Sequence, residues 1–118
     1  MTSEVQKAQI RVRPFGDTNP IEMLPGVVRR TLVSGDGHTL CRFELAEGGV
    51  VPEHTHPHEQ AGTVITGRVR FRIGDREAEV VPGDSYLIPG DVPHSAVALE
   101  ASVLIEVFAP VREEYAAD

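Results

Sequence analysis

Four side chains, His54, His56, Gln60 and His94, have the types and the spacing of a metal site. Three of them fall in GGVVPEHTHPHEQAGTVITG, where His54 and His56 alternate, Gln60 keeps their parity, and Gly48 and Gly67 frame the segment. Residues two apart on a strand point to one face, so this segment predicts a single face offering three ligands, with Pro57 as the point where the run bends. His94 closes PGDSYLIPGDVPH and has to arrive from a neighbouring strand. Neutral imidazole nitrogens suit one divalent transition metal, with Ni, Zn, Fe, Mn, Co and Cu all admissible, and an amide oxygen adds a fourth donor without adding charge. A centre built from neutral donors leaves the ion nearly its full positive charge, so it is a strong Lewis acid and attracts a small anionic, oxygen-bearing substrate. An HxH pair taken alone fits surface-loop histidines beside a proline equally well; the spacing and the glycine frame favour the metal. Of the remaining candidates, His58 reads as supporting a ligand or facing solvent, Glu59 falls off the ligand parity, and His38, in GDGH, reads as exposed.

The rest of the composition narrows what such a site could serve. A chain of 118 residues suits one domain that buries a core without disulfides, and the single cysteine, Cys41, excludes an internal one. Its place in the alternating run HTLCRFELA marks it as a small buried hydrophobe rather than a nucleophile. The start MTSEVQKAQIRVR has no apolar core of signal-peptide length, and no later stretch reaches the roughly 20 apolar residues of a membrane span, so a cytoplasmic location is expected. A net charge of -7 argues against nucleic acid and anionic membrane as partners. It also requires that an anionic substrate meet positive charge locally.

Positioning these ligands falls to short strands. Glycine and proline punctuate the chain often, and the runs between them, at 27–33, 38–46, 60–66, 68–73, 76–81, 84–88, 94–98 and 102–108, have strand length. Nothing between Pro25 and Pro110 reads as a helix of three turns. RVRFRIGDREAEVV is the clearest hairpin: Val69, Phe71 and Ile73 share one face, Arg68, Arg70 and Arg72 the other, and Gly74-Asp75 makes the turn. The arginine stripe is read as a solvated face, with a substrate-facing role for one of its members left open. Many short strands that carry ligands toward one interior define an all-β protein, a single-domain jelly-roll β-barrel with its site in the mouth. Residues 25–110 make the barrel, 1–24 an N-terminal segment in which IRVR offers an edge or exchanged strand, and 111–118 a C-terminal tail in which Tyr115 either covers the pocket mouth or is loose. VLIEVFAP is apolar on both faces of a strand, as expected for packing inside and against a second sheet, which points to a homodimer.

The two segments resemble the paired motifs of the cupin superfamily. The first is usually G(x)5HxH(x)3-4E(x)6G and here runs from Gly48 to Gly67, with Gln60 where glutamate is common. The second is usually G(x)5PxG(x)2H(x)3N and runs from Gly83 through Pro89, Asp91 and His94 to Ala98, without the final asparagine. Over about residues 24–115, HTHPHEQ, GDSYLIPGDVPHSAVALE and LIEVFAPVREEY resemble the small cupins that ketonise unsaturated uronates in pectin and alginate breakdown. That likeness implies His54, His56, Gln60 and His94 as metal ligands, Glu106 and Arg112 as catalytic residues, and Phe108 with Arg112 as substrate-binding residues. The family carboxylate is usually aspartate, and glutamate at position 106 is one methylene longer.

The residues agree with this likeness on their own terms. Glu106 and Phe108 share strand parity, so if Phe108 faces the cavity Glu106 does too, there to act as a proton-handling group or as a structural carboxylate paired with an arginine such as Arg112. Arg112 suits a forked grip on a substrate carboxylate, or else the surface just past the last strand. The leading functional reading is a metal-dependent cupin enzyme that binds a small anionic sugar or keto/enol acid and moves a proton without redox change, as in ketonisation of a 4,5-unsaturated uronate. The alternatives are a metal-dependent dioxygenase, a cyclase or isomerase acting on a specialised metabolite, and a non-catalytic small-molecule sensor or binding module.

Overall fold

The computed structural model describes residues 8–118, and ten strands carry almost all of its regular structure: β1 (Ile21–Leu24), β2 (Val27–Ser34), β3 (Thr39–Leu45), β4 (Val50–His54), β5 (Glu59–Thr66), β6 (Val69–Ile73), β7 (Arg76–Val80), β8 (Ser85–Ile88), β9 (His94–Ala98) and β10 (Ser102–Ala109). A 3-10 turn at Phe15–Asp17 and one helical turn, α1 (Glu113–Ala116), complete it. Among the described residues the strands pair antiparallel into a six-stranded sheet, ordered β1-β2-β3-β10-β5-β8, and a four-stranded sheet, ordered β4-β9-β6-β7. The two sheets face each other as a jelly roll.

Period-two burial drives this arrangement. Along β10 the side chains of Ser102, Leu104, Glu106 and Phe108 are buried, while those between them are half-buried on the outer face. Val69 and Phe71 of β6 point inward, and the core between the sheets is filled by Val27, Leu45, Val64, Val69, Phe71, Val80, Ile88, Ala98 and Leu104. A smaller cluster of Cys41, Phe108 and Tyr115 sits beside it. Cys41 is fully buried, and desolvation pushes its thiol up to about 11, in keeping with a packing role. The β6–β7 hairpin turns at Gly74, which takes φ 61, a region open to glycine. Arg68, Arg70 and Arg72 lie on its solvent face and pair with Glu77 and Glu79 across the hairpin, away from the interior cavity.

Two strands escape the alternation argument. β1 is a four-residue edge strand with a register shift between Glu22 and Leu24, and β4 is an edge strand carrying Pro52 inside a bulge between Val51 and His54. Proline lacks the ladder donor and is tolerated at edges and bulges, which is why a run containing it does not read as a strand. The edge strand expected at IRVR does not form: residues 10–13 make no strand and Ile10 and Val12 are exposed, while an edge strand the sequence did not announce lies at Ile21–Leu24. The part of that expectation falling on residues 1–7 lies outside the described residues. No helix of the described residues is long and apolar enough to cross a membrane.

Candidate metal centre

The ligands do not share one strand face. His54 ends β4, residues 55–58 turn the chain from one sheet to the other, and Gln60 enters from β5 of the six-stranded sheet. Their shared parity in the sequence is therefore coincidental, because Pro57 sits in a reversal rather than in a bent strand. His94 opens β9 directly opposite His54 in the ladder. The bulge around Pro52 rotates the end of β4, a common use of bulges beside functional sites. Two further contacts tie the ligand loops together. The Asp91 amide donates to the His56 carbonyl at 2.8 Å, and Gly90 packs so closely on the Pro57 carbonyl that a Cβ there would collide with it. Asp91 stands at φ 62, a left-handed conformation in which aspartate is among the better-tolerated side chains, so it fills a position where the motif usually has glycine.

The three imidazoles converge. Ligand nitrogens of His54, His56 and His94 lie within 4.8 Å of one another. Each ring is anchored through Nδ1 by a backbone carbonyl: His54 to Pro52 at 2.9 Å, His56 to His58 at 3.0 Å, and His94 to Val92 at 2.8 Å. A carbonyl only accepts, so each Nδ1 carries the proton and each Nε2 keeps a lone pair for a metal, the outer-sphere arrangement typical of ligating histidines. Desolvation, reinforced by the nearby Arg112 charge, holds His56 down at about 4; burial likewise lowers His94.

Two observations show that this donor set fits a cation. His94 Nε2 is a buried atom without a hydrogen-bond partner. His56 Nε2 faces Gln60 Oε1 at 3.2 Å, and with the His56 proton on Nδ1 both atoms are acceptors. Their approach is unfavourable unless a positive centre sits between or beside them. The amide is held in this orientation by the donation of Gln60 Nε2 to Glu106 Oε2 at 2.7 Å.

The remaining predicted residues surround an interior cavity of about 90 Å³, whose lining includes His54, Gln60, His94, Glu106, Phe108, Arg112 and Tyr115. Glu106 is 4% exposed and does not pair with Arg112; its partners are Gln60 and the Tyr86 hydroxyl, at 2.6 Å. Burial pushes its carboxyl up, against the two hydrogen bonds. Phe108 is edge-on to His56, with centroids 5.8 Å apart. The Arg112 guanidinium stacks over Phe108 at 4.9 Å and Tyr115 at 4.2 Å, with its Nε 3.7 Å from Glu114. Tyr115 is buried between Arg112 and Arg29, the latter 3.9 Å from the ring centroid, so α1 is docked beside the cavity rather than loose. His58 is buried and serves the site through its carbonyl, whereas His38 and Glu59 are exposed. Sequence reasoning missed Tyr86 and Arg29. The parity of Tyr86 with Ile88 was a signal for an inward tyrosine, but an isolated arginine on β2 carries no signal of burial.

Residues 41–108 match the cupin domain, and the chain belongs to the cupin family. The fold is similar to an RmlC-like cupin from Shewanella frigidimarina, with TM-score 0.83 and 23% identity over 91% of this chain and 96% of that one. It is also similar to KdgF from Halomonas sp., with TM-score 0.82 and 25% identity over 88% and 98% of the two chains. In sequence, a germin-like protein from Ipomoea nil is 33% identical over 75 residues, which are 58% of this chain and 32% of that protein. The chain thus spans about a third of the length of that curated relative.

Proposed function

We propose that the protein is a metal-dependent cupin enzyme that binds a small anionic sugar or keto/enol acid and transfers a proton without redox change, with ketonisation of a 4,5-unsaturated uronate as the concrete case. The observation that carries this reading is one cavity lined by His54, His94, Gln60, a guanidinium and a buried carboxyl group, with His56 converging on the same two histidines. A divalent metal bound there supplies Lewis-acid stabilisation of negative charge developing on a substrate oxygen. Arg112 grips the substrate carboxylate with its terminal nitrogens, the planar fork that suits this partner. Phe108 gives the pocket an apolar wall and keeps water from the reacting carbon. Glu106 is the carboxyl group among the described lining residues, and burial favours its protonated form, which suits a proton donor within the pocket. The similarity in fold to KdgF of Halomonas and the resemblance of the C-terminal segment to uronate-ketonising cupins support the same reading.

The test is the ultraviolet absorbance of a 4,5-unsaturated monouronate, with metal-loaded protein compared with a His54→Ala/His56→Ala double variant. Metal-dependent loss of the enol-ether band above the spontaneous rate is expected. Decay at the spontaneous rate with metal bound would overturn the uronate assignment. A second reading is favoured by the apolar remainder of the cavity lining, which includes Phe43, Leu45, Val51 and Leu104: a cyclase or isomerase acting on a less hydroxylated oxo acid. Turnover of such acids in place of the uronate selects it.

A further inference from the structure

Tyr86 is neither a candidate ligand nor part of the cavity lining, yet its hydroxyl ends at the centre of the site's hydrogen-bond network. It donates to Glu106 Oε2 at 2.6 Å, the oxygen that also accepts from Gln60 Nε2 at 2.7 Å. Three strands cooperate in this. On β5, Gly62 is registered with Tyr86 of β8 on one side and with Glu106 of β10 on the other. A Cβ on Gly62 would lie 2.5 Å from the Tyr86 oxygen and 2.8 Å from Glu106 Cγ. The missing side chain is therefore the gap through which the phenol crosses a whole strand to reach the carboxylate. From the opposite sheet, Phe71 packs on the Tyr86 ring with centroids 4.4 Å apart. The hydroxyl is thus located by a gap on one side and an aromatic contact on the other.

The consequence falls on Gln60. A glutamine has an acceptor end and a donor end, and only the oxygen end can serve a cation. Its orientation is decided by what the nitrogen finds, and here it finds a Glu106 oxygen that Tyr86 already holds in place. We infer that Tyr86 is a positioning residue of the metal centre: acting through Glu106, it turns the Gln60 amide so that Oε1 faces the ion, and Gly62 is the small residue that this requires. This rests on the metal-centre reading, and the test separates the two.

The full-length chain is titrated with Co2+, following both affinity and the visible absorption bands that report ligand geometry. Tyr86→Phe keeps the ring on Phe71 and removes only the hydroxyl. It is expected to weaken Co2+ binding by about 10-fold, at the lower end of the range for outer-sphere partners of metal ligands, and to shift the absorption bands. Glu106→Leu removes the acceptor that holds Gln60 Nε2 while keeping an apolar side chain of similar bulk, and is expected to weaken Co2+ binding at least as much and to shift the bands in the same way. Unchanged affinity and bands in Tyr86→Phe, with normal binding by the wild type, would overturn the role of Tyr86 and leave the metal centre standing. Unchanged affinity and bands in Glu106→Leu would overturn the orienting role of Glu106, and with it that of Tyr86, even if Tyr86→Phe does not fold. A wild-type protein that binds no Co2+ would overturn both.

Discussion

The β6–β7 hairpin and the six-stranded sheet use carboxylates to opposite effect. On the hairpin, Glu77 and Glu79 meet Arg68, Arg70 and Arg72 at distances between 3.1 and 3.8 Å in solvent. Exposed pairs of this kind contribute about 0–1 kcal/mol each, because water screens the attraction and long side chains lose freedom. In the interior, Glu106 has no cationic partner within salt-bridge distance among the described residues, only two hydrogen bonds to one oxygen. Removing it leaves two buried donors unsatisfied, at a cost of about 1–3 kcal/mol each. Charge pairing therefore says little about which carboxylate matters here. Burial and the geometry of the donors decide it.

Substitutions can break this contrast or sharpen it. The largest effect is expected from His54→Ala combined with His94→Ala, which removes two facing ligands and should reduce metal content from one equivalent to none by elemental analysis, while the hairpin arginines replaced together by glutamine should leave it unchanged. Tyr115→Ala is expected to cost about 3 kcal/mol in urea unfolding, a magnitude typical of truncating a buried aromatic side chain. It should also raise KM through loss of the stack that holds Arg112. Glu106→Ala should cost about 2 kcal/mol or more in the metal-free protein, against less than about 0.5 kcal/mol for Glu79→Ala. Equal costs would erase the distinction between the two regions.

Acid adds a further test, again in the metal-free protein. Burial lowers His56 from 6.5 to about 4, so between those values the unfolded chain binds a proton that the folded one refuses. Stability from this source is fully present above about pH 6.5 and falls as pH drops toward 4, by roughly 3 kcal/mol at most. His94 has the same sign. Glu106 has the opposite sign: its carboxyl is raised above 4.5, so its contribution declines as pH rises through that window. Urea midpoints from pH 4 to 7 should therefore rise more steeply in Glu106→Gln than in the wild type.

Much of the architecture is legible in the amino-acid sequence alone. Alternation located eight of the ten strands, because a half-buried strand must display period two. It failed for β1 and β4, where a short edge and a proline-bearing bulge suspend the pattern. Residue type and spacing singled out four side chains that the structure brings together, three imidazoles that converge and an amide beside His56. Strand parity, however, was the wrong reason for grouping them: a chain reversal at Pro57 and the pairing of His54 with His94 bring them together.

The sequence by itself determined the chemistry available: neutral nitrogen and oxygen donors, an arginine and a glutamate near the C-terminus, and an alternation that can only be satisfied by facing sheets. Only the tertiary structure decided which groups act on which. Glu106 could have paired with Arg112 and instead holds Gln60. Arg112 stacks on Phe108 and Tyr115. Tyr86 reaches across Gly62 from two strands away. These partnerships depend on ladder register and on which side chain is missing from an intervening strand. Such quantities are set by the packing of the whole barrel, and no local pattern of residues encodes them.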